Sequence, residues 1–475
     1  MKTTERMKLG NSIEEKAYKM FMKSFMSGGD DRFSIVRNIR IDSARYIVDL
    51  AILSKRKLIG VVEIKSDLQR YKHTAFLEFI VLKSVAEKNR AYFAIITDTK
   101  EFICWDTDSK KDAVFQTIND VYNHIIDILE GKESKIKHIS ELMYDTIQNN
   151  NTLNNIMLEA NITDAEKLVA HLEYDVSIDQ VMLEESLENK YFTAMLPELN
   201  KGTYIYRYVS FAYLFEMLKE NKFSLNSIVS MNDKTEIDYM DKYIQGFNIN
   251  DIIIDKSKVQ NANESFISCF SSKDDDLTMW RLYTNNGNGV CLEYSIKDKQ
   301  NRIDSYIKKV NYAVRNSNSE EIDEHEHIDV FRRLVILLKD KLKTDFRIRS
   351  LDIWKHFFKP SAFSDEFEIR LLMFNKKNRF HKKWRIDNSS GIVTSFIEFK
   401  LFDDNLPICL KRIILGPKVP ESEINIVQIE QLIESLKTEK VIDPHTGSET
   451  GLYNDKEIEL LKKVVVERSK IQYYR

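Results

Sequence analysis

YIVDLAILSKRKLIGVVEIK, residues 46–65, decides how the first part of the chain is read. One apolar-rich run carries Asp49; a second, GVVEIK, carries Glu63 and Lys65; a turn rich in Lys and Arg separates them at residues 54–57. Side chains alternate along a strand, so Glu63 and Lys65 share a face while Ile64 takes the other. A tight connection between the two strands brings Asp49 beside Glu63. Val61, Val62 and Ile64 make the second run apolar on both faces, which predicts a strand buried on both sides. Two carboxylates and a lysine are costly to bury together unless something binds there. A divalent cation suits them, because Mg²⁺ prefers oxygen ligands and usually takes one or two carboxylates. The lysine is then free to hold a phosphate oxygen or an attacking water.

The flanks extend the pattern. Upstream, SIEEKAYKMFMKSF (12–25) reads as an amphipathic helix with Glu14 and Glu15 in its first turn, after a ragged start over residues 1–12. Glu14 is the better placed of the two, since Ala17 and Phe21 follow it at three and seven residues. Downstream, a helix through TAFLEFIVLKSVAEK (74–88) leads to a strand at 91–98 and a hairpin partner at 101–106. Residues 113–131 have apolar spacing near 3.6 and predict a helix closed by Gly131.

Asp49 followed by Glu63-Ile64-Lys65 resembles the signature of the PD-(D/E)xK nuclease superfamily, with Val48 where the superfamily often has proline. The order of elements over roughly residues 10–130 is most similar to the N-terminal nuclease domain of type I restriction enzyme R subunits. The resemblance implies an α/β nuclease-like domain in which Asp49, Glu63 and Lys65 are catalytic. Asp49 and Glu63 would hold Mg²⁺ or Mn²⁺, and Glu14 would join from the first helix. No G-x-x-x-x-G-K-[ST] phosphate loop occurs, so the motor of those subunits is missing.

Residues 1–110 hold 21 Lys and Arg against 15 Asp and Glu, a balance of +6; the whole chain is at −3, which leaves −9 for the remainder. A basic domain around an acidic centre suits a polyanionic substrate. Lys55, Arg56 and Lys57, in the turn between the two strands, are the expected phosphate contacts. The four cysteines, Cys104, Cys269, Cys291 and Cys409, show no metal-binding spacing and fit a reducing cytoplasm. No apolar run reaches the roughly 18 residues of a membrane span. Three parts are expected: an α/β nuclease-like domain (1–132), a helical connector (133–199) with a loop at the polar run QNNNTLNN (148–155), and an α+β domain (200–475).

The third part opens with a strand, GTYIYRYVS, and a helix, FAYLFEMLKENKF. SFISCFSSK reads as a strand, and DDLTMWRLYTNNGNGVCLEY as helix, glycine turn and strand. A long helix is expected near 328–345, a strand at the end of KPSAFSDEFEIRLLMF, and closing helices at 422–438 and 455–468. Period 2 places Glu366, Glu368 and Arg370 on one face of the late strand, with Phe367 packing on the other. Cys269 reads as a buried small hydrophobe, and Trp280 and Tyr283 as core or as a stacking shelf. Lys359, before Pro360, reads as a loop residue, and Asn232 and Asp233 as a turn.

Arg207, the Asn232-Asp233…Glu236 turn, Ser268 to Ser271, Met279-Trp280…Tyr283 and Lys359…Glu366-x-Glu368-x-Arg370 together resemble a bacterial domain family of unknown function over about residues 200–420. The layout is also similar to ADP-ribosyltransferases. That similarity implies NAD⁺ as ligand, with Arg207 on a phosphate, Ser268 or Ser271 supporting the pocket, Glu368 catalytic and Glu366 assisting.

The combined expectation is a metal-dependent nuclease acting on DNA, with RNA left open, in restriction-type or anti-phage defence. It would work as a homodimer or with a defence-system partner protein. The alternatives are an NAD-consuming toxin whose first domain only targets nucleic acid, and a C-terminal module that senses a ligand without catalysis.

Overall fold

Helix α1 (Thr3–Met26) opens the chain. Its Ala17, Phe21 and Phe25 recur every four residues, so they share one face, and all are buried. Each fully buried phenyl contributes roughly 1.5–3 kcal/mol. The computed structural model describes residues 3–471 apart from 27–31, 41–45, 55–56, 70–71, 90, 108, 176–177, 231–238, 246–263, 299–304, 315–324, 376–378, 387–390, 392 and 443–448. The ragged start expected over residues 1–12 is helical from Thr3.

After α1 come β1 (Phe33–Arg40), β2 (Ile47–Ser54), β3 (Lys57–Ile64), α2 (Lys72–Lys88), β4 (Phe93–Thr97), β5 (Phe102–Asp106) and β6 (Asp112–Phe115). The six strands form one sheet in sequence order. Only β3 and β4 are parallel, with α2 as the crossover, and the other neighbours are antiparallel. Val62, Leu50 and Ile95 pack with Phe21 and Phe25 of α1; Val61, Val48 and Ile96 pack with Phe79 and Leu82 of α2. Val61 and Val62 thus fall in different clusters, each 0% exposed, as a strand buried on both faces requires.

The helix expected at 113–131 is corrected at both ends. Residues 112–115 pair with β5 as β6, and α3 (Ile118–Ile147) starts later, capped by Thr117, whose side chain accepts from the Asp120 N–H. It runs straight through Gly131, because the apolar stripe Val121, Ile125, Ile139, Met143 and Ile147 continues past it and stays buried. A glycine in mid-helix costs about 1 kcal/mol, less than that stripe returns. The loop expected at 148–155 is largely the start of a helix, Asn151–Glu159, with the Asn150 side chain accepting from the Leu153 N–H at 2.9 Å.

Residues 133–199 are not all helical: they hold β7 (Leu172–Asp175) and β8 (Gln180–Leu183), and β8 pairs in parallel with the strand Asp345–Arg347. The chain divides into two compact units. One comprises residues 1–149, 157–184 and 337–347; the other holds residues 150–156, 185–336 and 348–475.

The second unit is built on a ten-stranded sheet. Its strands include β9 (Tyr204–Ser210), β10 (Phe223–Ser227), β11 (Ser265–Ser271), β12 (Gly289–Ile296) and β13 (Ser305–Lys309), with Glu368–Phe374 later in the chain. β11 pairs with Glu368–Phe374 along its whole length but touches β9 only at Ser271 and Tyr206. The sheet therefore opens between β9 and β11. The closing helix expected at 455–468 ends at Leu461, and Val465–Arg468 joins the sheet edge beside Ile408–Leu415. The architecture is mixed α/β in both units. Among the described residues, no helix is long and apolar enough to cross a membrane.

Candidate active site

In the first unit the β2–β3 ladder ends at the pair Leu50 and Val62. Asp49 and Glu63 come next on their two strands, side by side at the ladder's end. The Asp49 side chain continues the ladder in place of backbone, its Oδ2 accepting the Ile64 N–H at 2.7 Å. Lys65 donates to Glu63 Oε1 at 2.8 Å and meets Glu78 Oε2 at 2.5 Å. Its backbone N–H is fixed by Thr97 O at 2.8 Å.

Burial pushes the Asp49 carboxyl up, more than the Ile64 N–H and Lys65 pull it down. Burial also raises Glu63 against the pull of Lys65, and the neighbouring Asp49 adds to the rise. Glu14, in the middle of α1, is raised by burial and then by Asp49, so of the two candidate glutamates it is the one that Asp49 influences. Glu15 instead pairs with Arg37 at 2.8 Å and is held below the usual carboxylate range. Lys65 is raised: burial alone would lower it, but its bonds to Glu63 and Glu78 outweigh that. Tyr46, beside Glu63, is pushed up to about 12 by burial first.

Asp49, Glu63 and Lys65 therefore form one half-buried cluster, with Asp49 also acting on Glu14. Glu78, on α2, was missed from the sequence. It sits in the apolar run AFLEFIVL, and the acid inside that run was the available signal. Among the described residues, no three His, Cys, Asp or Glu side chains are arranged to cage a metal by themselves. Two hard carboxylates side by side still match the small protein share of an Mg²⁺ or Mn²⁺ shell.

Of the expected phosphate contacts, Lys57 lies within the described residues. Lys55 and Arg56 lie outside the described residues. Lys57 opens β3 at the turn end, six residues from Glu63, which is about 20 Å along a strand. It bonds the Tyr92 hydroxyl at 3.1 Å. A hairpin's turn and its open end are by construction at opposite poles.

In the second unit a cavity of about 330 Å³ fills the opening between β9 and β11. Arg207, Ser268, Ser271, Glu366 and Glu368 all line it, with Cys269, Tyr283 and Lys359. Their arrangement departs from the sequence reading. Glu366 ends a 3₁₀ turn (Ser361–Glu366), Phe367 has φ 47°, and the strand begins only at Glu368. Glu366 and Glu368 thus do not alternate on one strand, and Phe367 is exposed.

Glu368 is 4% exposed and gripped by the Arg370 fork at 2.8 and 3.0 Å, with Lys359 at 3.1 Å. Burial would raise it, but Arg370 and then Lys359 hold it down at about 2. Lys359 is thus a buried counter-ion, not a loop residue. It also reaches Glu366 at 2.8 Å, whose other oxygen accepts from the Tyr283 hydroxyl at 2.6 Å. Trp280 is core, fully buried against Tyr208, whereas Tyr283 is 38% exposed on the cavity. Cys269 is exposed, unlike Cys104, Cys291 and Cys409. Asn232, Asp233 and Glu236 lie outside the described residues.

A family model described as "Protein of unknown function (DUF2971)" matches residues 279–371. That stretch carries Trp280, Tyr283, Lys359, Glu366, Glu368 and Arg370. No curated protein matches the chain. A solved structure, that of the type IIG restriction endonuclease BpuSI, is similar at 13% identity with a TM-score of 0.20, covering 32% of this chain and 22% of that one.

Proposed function

We propose that the first unit is a divalent-metal-dependent nuclease that hydrolyses phosphodiester bonds in DNA, in a restriction-type or anti-phage role. The observation that carries this reading is the pairing of Asp49 and Glu63 as next neighbours at the end of adjacent strands, with Lys65 just past the end of Glu63's strand and bonded to it. Asp49 and Glu63 would hold Mg²⁺ or Mn²⁺, and Glu14, whose carboxyl is raised in part by Asp49, would join from α1. A bound divalent ion supplies an activated water and offsets charge on the scissile phosphate. Lys65 stays protonated and exchanges Glu63 or Glu78 for a phosphate oxygen, which positions the phosphodiester.

Purified protein incubated with supercoiled plasmid and Mg²⁺ or Mn²⁺ tests the reading, with a parallel RNA arm. Nicked or linear DNA is expected, lost with EDTA. Wild-type cutting by Asp49→Ala overturns the assignment.

A second reading, NAD⁺ handling by the second unit, is favoured by one observation: Arg207, Ser268, Ser271, Glu366 and Glu368 line a single cavity. On this reading Glu366, whose grip by cations is weaker than that on Glu368, is the better placed of the two to meet a ribose. Nicotinamide release from NAD⁺ by the full chain tests it.

A further inference from the structure

The second unit's cavity is lined by a buried hydroxyl with no hydrogen-bond partner and by an arginine that no carboxylate pairs with among the described residues. Ser268 is 3% exposed, lines the cavity, and its Oγ has no hydrogen-bond partner. Buried hydroxyls are ordinarily satisfied, and an orphan marks a place where something else belongs. Ser271, on the same strand, is unlike it: its hydroxyl donates to Glu366 O at 2.9 Å and serves the local backbone.

Arg207 is the second group. Its guanidinium stacks on Tyr213 and Phe223, at 5.0 and 5.2 Å from their ring centres, and donates to the Tyr213 hydroxyl at 3.0 Å. Among the described residues no carboxylate pairs with it. The other charges balance, since Glu366 and Glu368 face Lys359 and Arg370. Arg207 is the surplus cation on the wall, with the planar fork that suits phosphate.

Glu366 sits across the same cavity. Lys359 and Tyr283 each take one of its oxygens and hold it in place. A carboxylate has about four acceptor sites, so two remain for hydroxyl donors. The rings of Tyr206, Tyr283 and Phe363 border the space between. Its 330 Å³ lies at the low end of small-molecule pockets, which favours one nucleotide over two.

We infer that this cavity binds a nucleoside 5′-phosphate, with the phosphate on Arg207 and Ser268, the ribose hydroxyls on Glu366 and the base among the rings. A free mononucleotide and one half of a dinucleotide both present this group. Binding needs no cleavage, so the inference stands or falls apart from NAD⁺ turnover, and it involves none of the residues of the nuclease reading.

Cys269 supplies the readout, because it is the exposed thiol on the cavity while the other three cysteines are buried. Iodoacetamide labelling of the full chain, read by peptide mass spectrometry, should be slowed by AMP and by nicotinamide mononucleotide but not by adenosine. Protection by NAD⁺ as well would assign the dinucleotide as a source; protection by the mononucleotides alone would assign the free nucleotide. Calorimetry should show AMP affinity falling on the order of tenfold or more in Arg207→Gln and a few-fold in Ser268→Ala. The smaller Ser268 change keeps the test valid if Arg207→Gln misfolds. No protection by any nucleoside 5′-phosphate at millimolar concentration, equal protection by adenosine, or wild-type AMP affinity in Ser268→Ala overturns the inference.

Discussion

Glu63-x-Lys65 and Glu368-x-Arg370 are the same short pattern, an acid and a base two residues apart, and both acids meet their base at 2.8 Å. Their surroundings separate them. Glu368 has the Arg370 fork to itself and shares Lys359 with Glu366, two cations for two acids, and is held near 2. Glu63 shares one lysine with Glu78, lies beside Asp49, and is raised. The first arrangement is complete as it stands. The second has more negative charge than its partners cancel, as the proposed cation site requires. The motif does not distinguish a structural ion pair from a candidate metal centre; the tally of neighbouring charges does.

That contrast is broken most forcefully by removing each acid. Asp49→Ala and Glu63→Ala should each cut divalent-dependent DNA cleavage by more than about 100-fold, since changes one shell further out already cost 10–100-fold in metal sites. Initial rates on supercoiled plasmid measure this, and a loss of less than tenfold would remove the difference between the two pairs.

Stability should respond in the opposite sense. Glu368→Ala leaves Arg370 buried without its carboxylate and Lys359 with Glu366 alone, and breaking such a group costs about 3–5 kcal/mol. Glu63→Gln relieves repulsion, so the metal-free protein should be as stable as wild type or more so. Urea unfolding of both variants in EDTA decides it.

The pH dependence sharpens the same point. Glu368 has its pKa depressed from 4.5 to about 2, so the stability it lends is fully present above 4.5 and is lost as pH falls toward 2. The Glu368→Ala penalty should therefore shrink over that window, as followed by unfolding at stepped pH. A constant penalty would mean that charge is not what Glu368 contributes.

The smallest effect is expected at Lys57. At about 20 Å from Glu63, Lys57→Glu should leave the cleavage rate at saturating DNA unchanged and alter the salt slope of binding by no more than about one. A fall in that rate would place the turn at the reacting phosphate.

What the sequence makes legible follows from locality. Asp49, Glu63 and Lys65 are readable because strand alternation and an antiparallel hairpin fix which residues become neighbours. Glu78 is not, because it arrives from α2 across a parallel crossover, and spacing says nothing about which helix turn faces the strand end. Nearness in sequence suggests Lys57 as a phosphate contact, but nearness to a hairpin's turn leads away from its open end. Glu366 lost its phase because Phe367 adopts a left-handed conformation (φ 47°), and one such residue ends period-2 counting. Gly131 misled because packing along α3 outweighs a local helix breaker.

Mn²⁺ titration followed by the paramagnetic resonance of the free ion tests the central claim most directly, using wild type and the Asp49→Asn/Glu63→Gln double variant. Wild type should take up Mn²⁺ at a site that the double variant lacks, although both remain folded. Equal uptake by the two proteins, or none by either at millimolar Mn²⁺, would contradict the account.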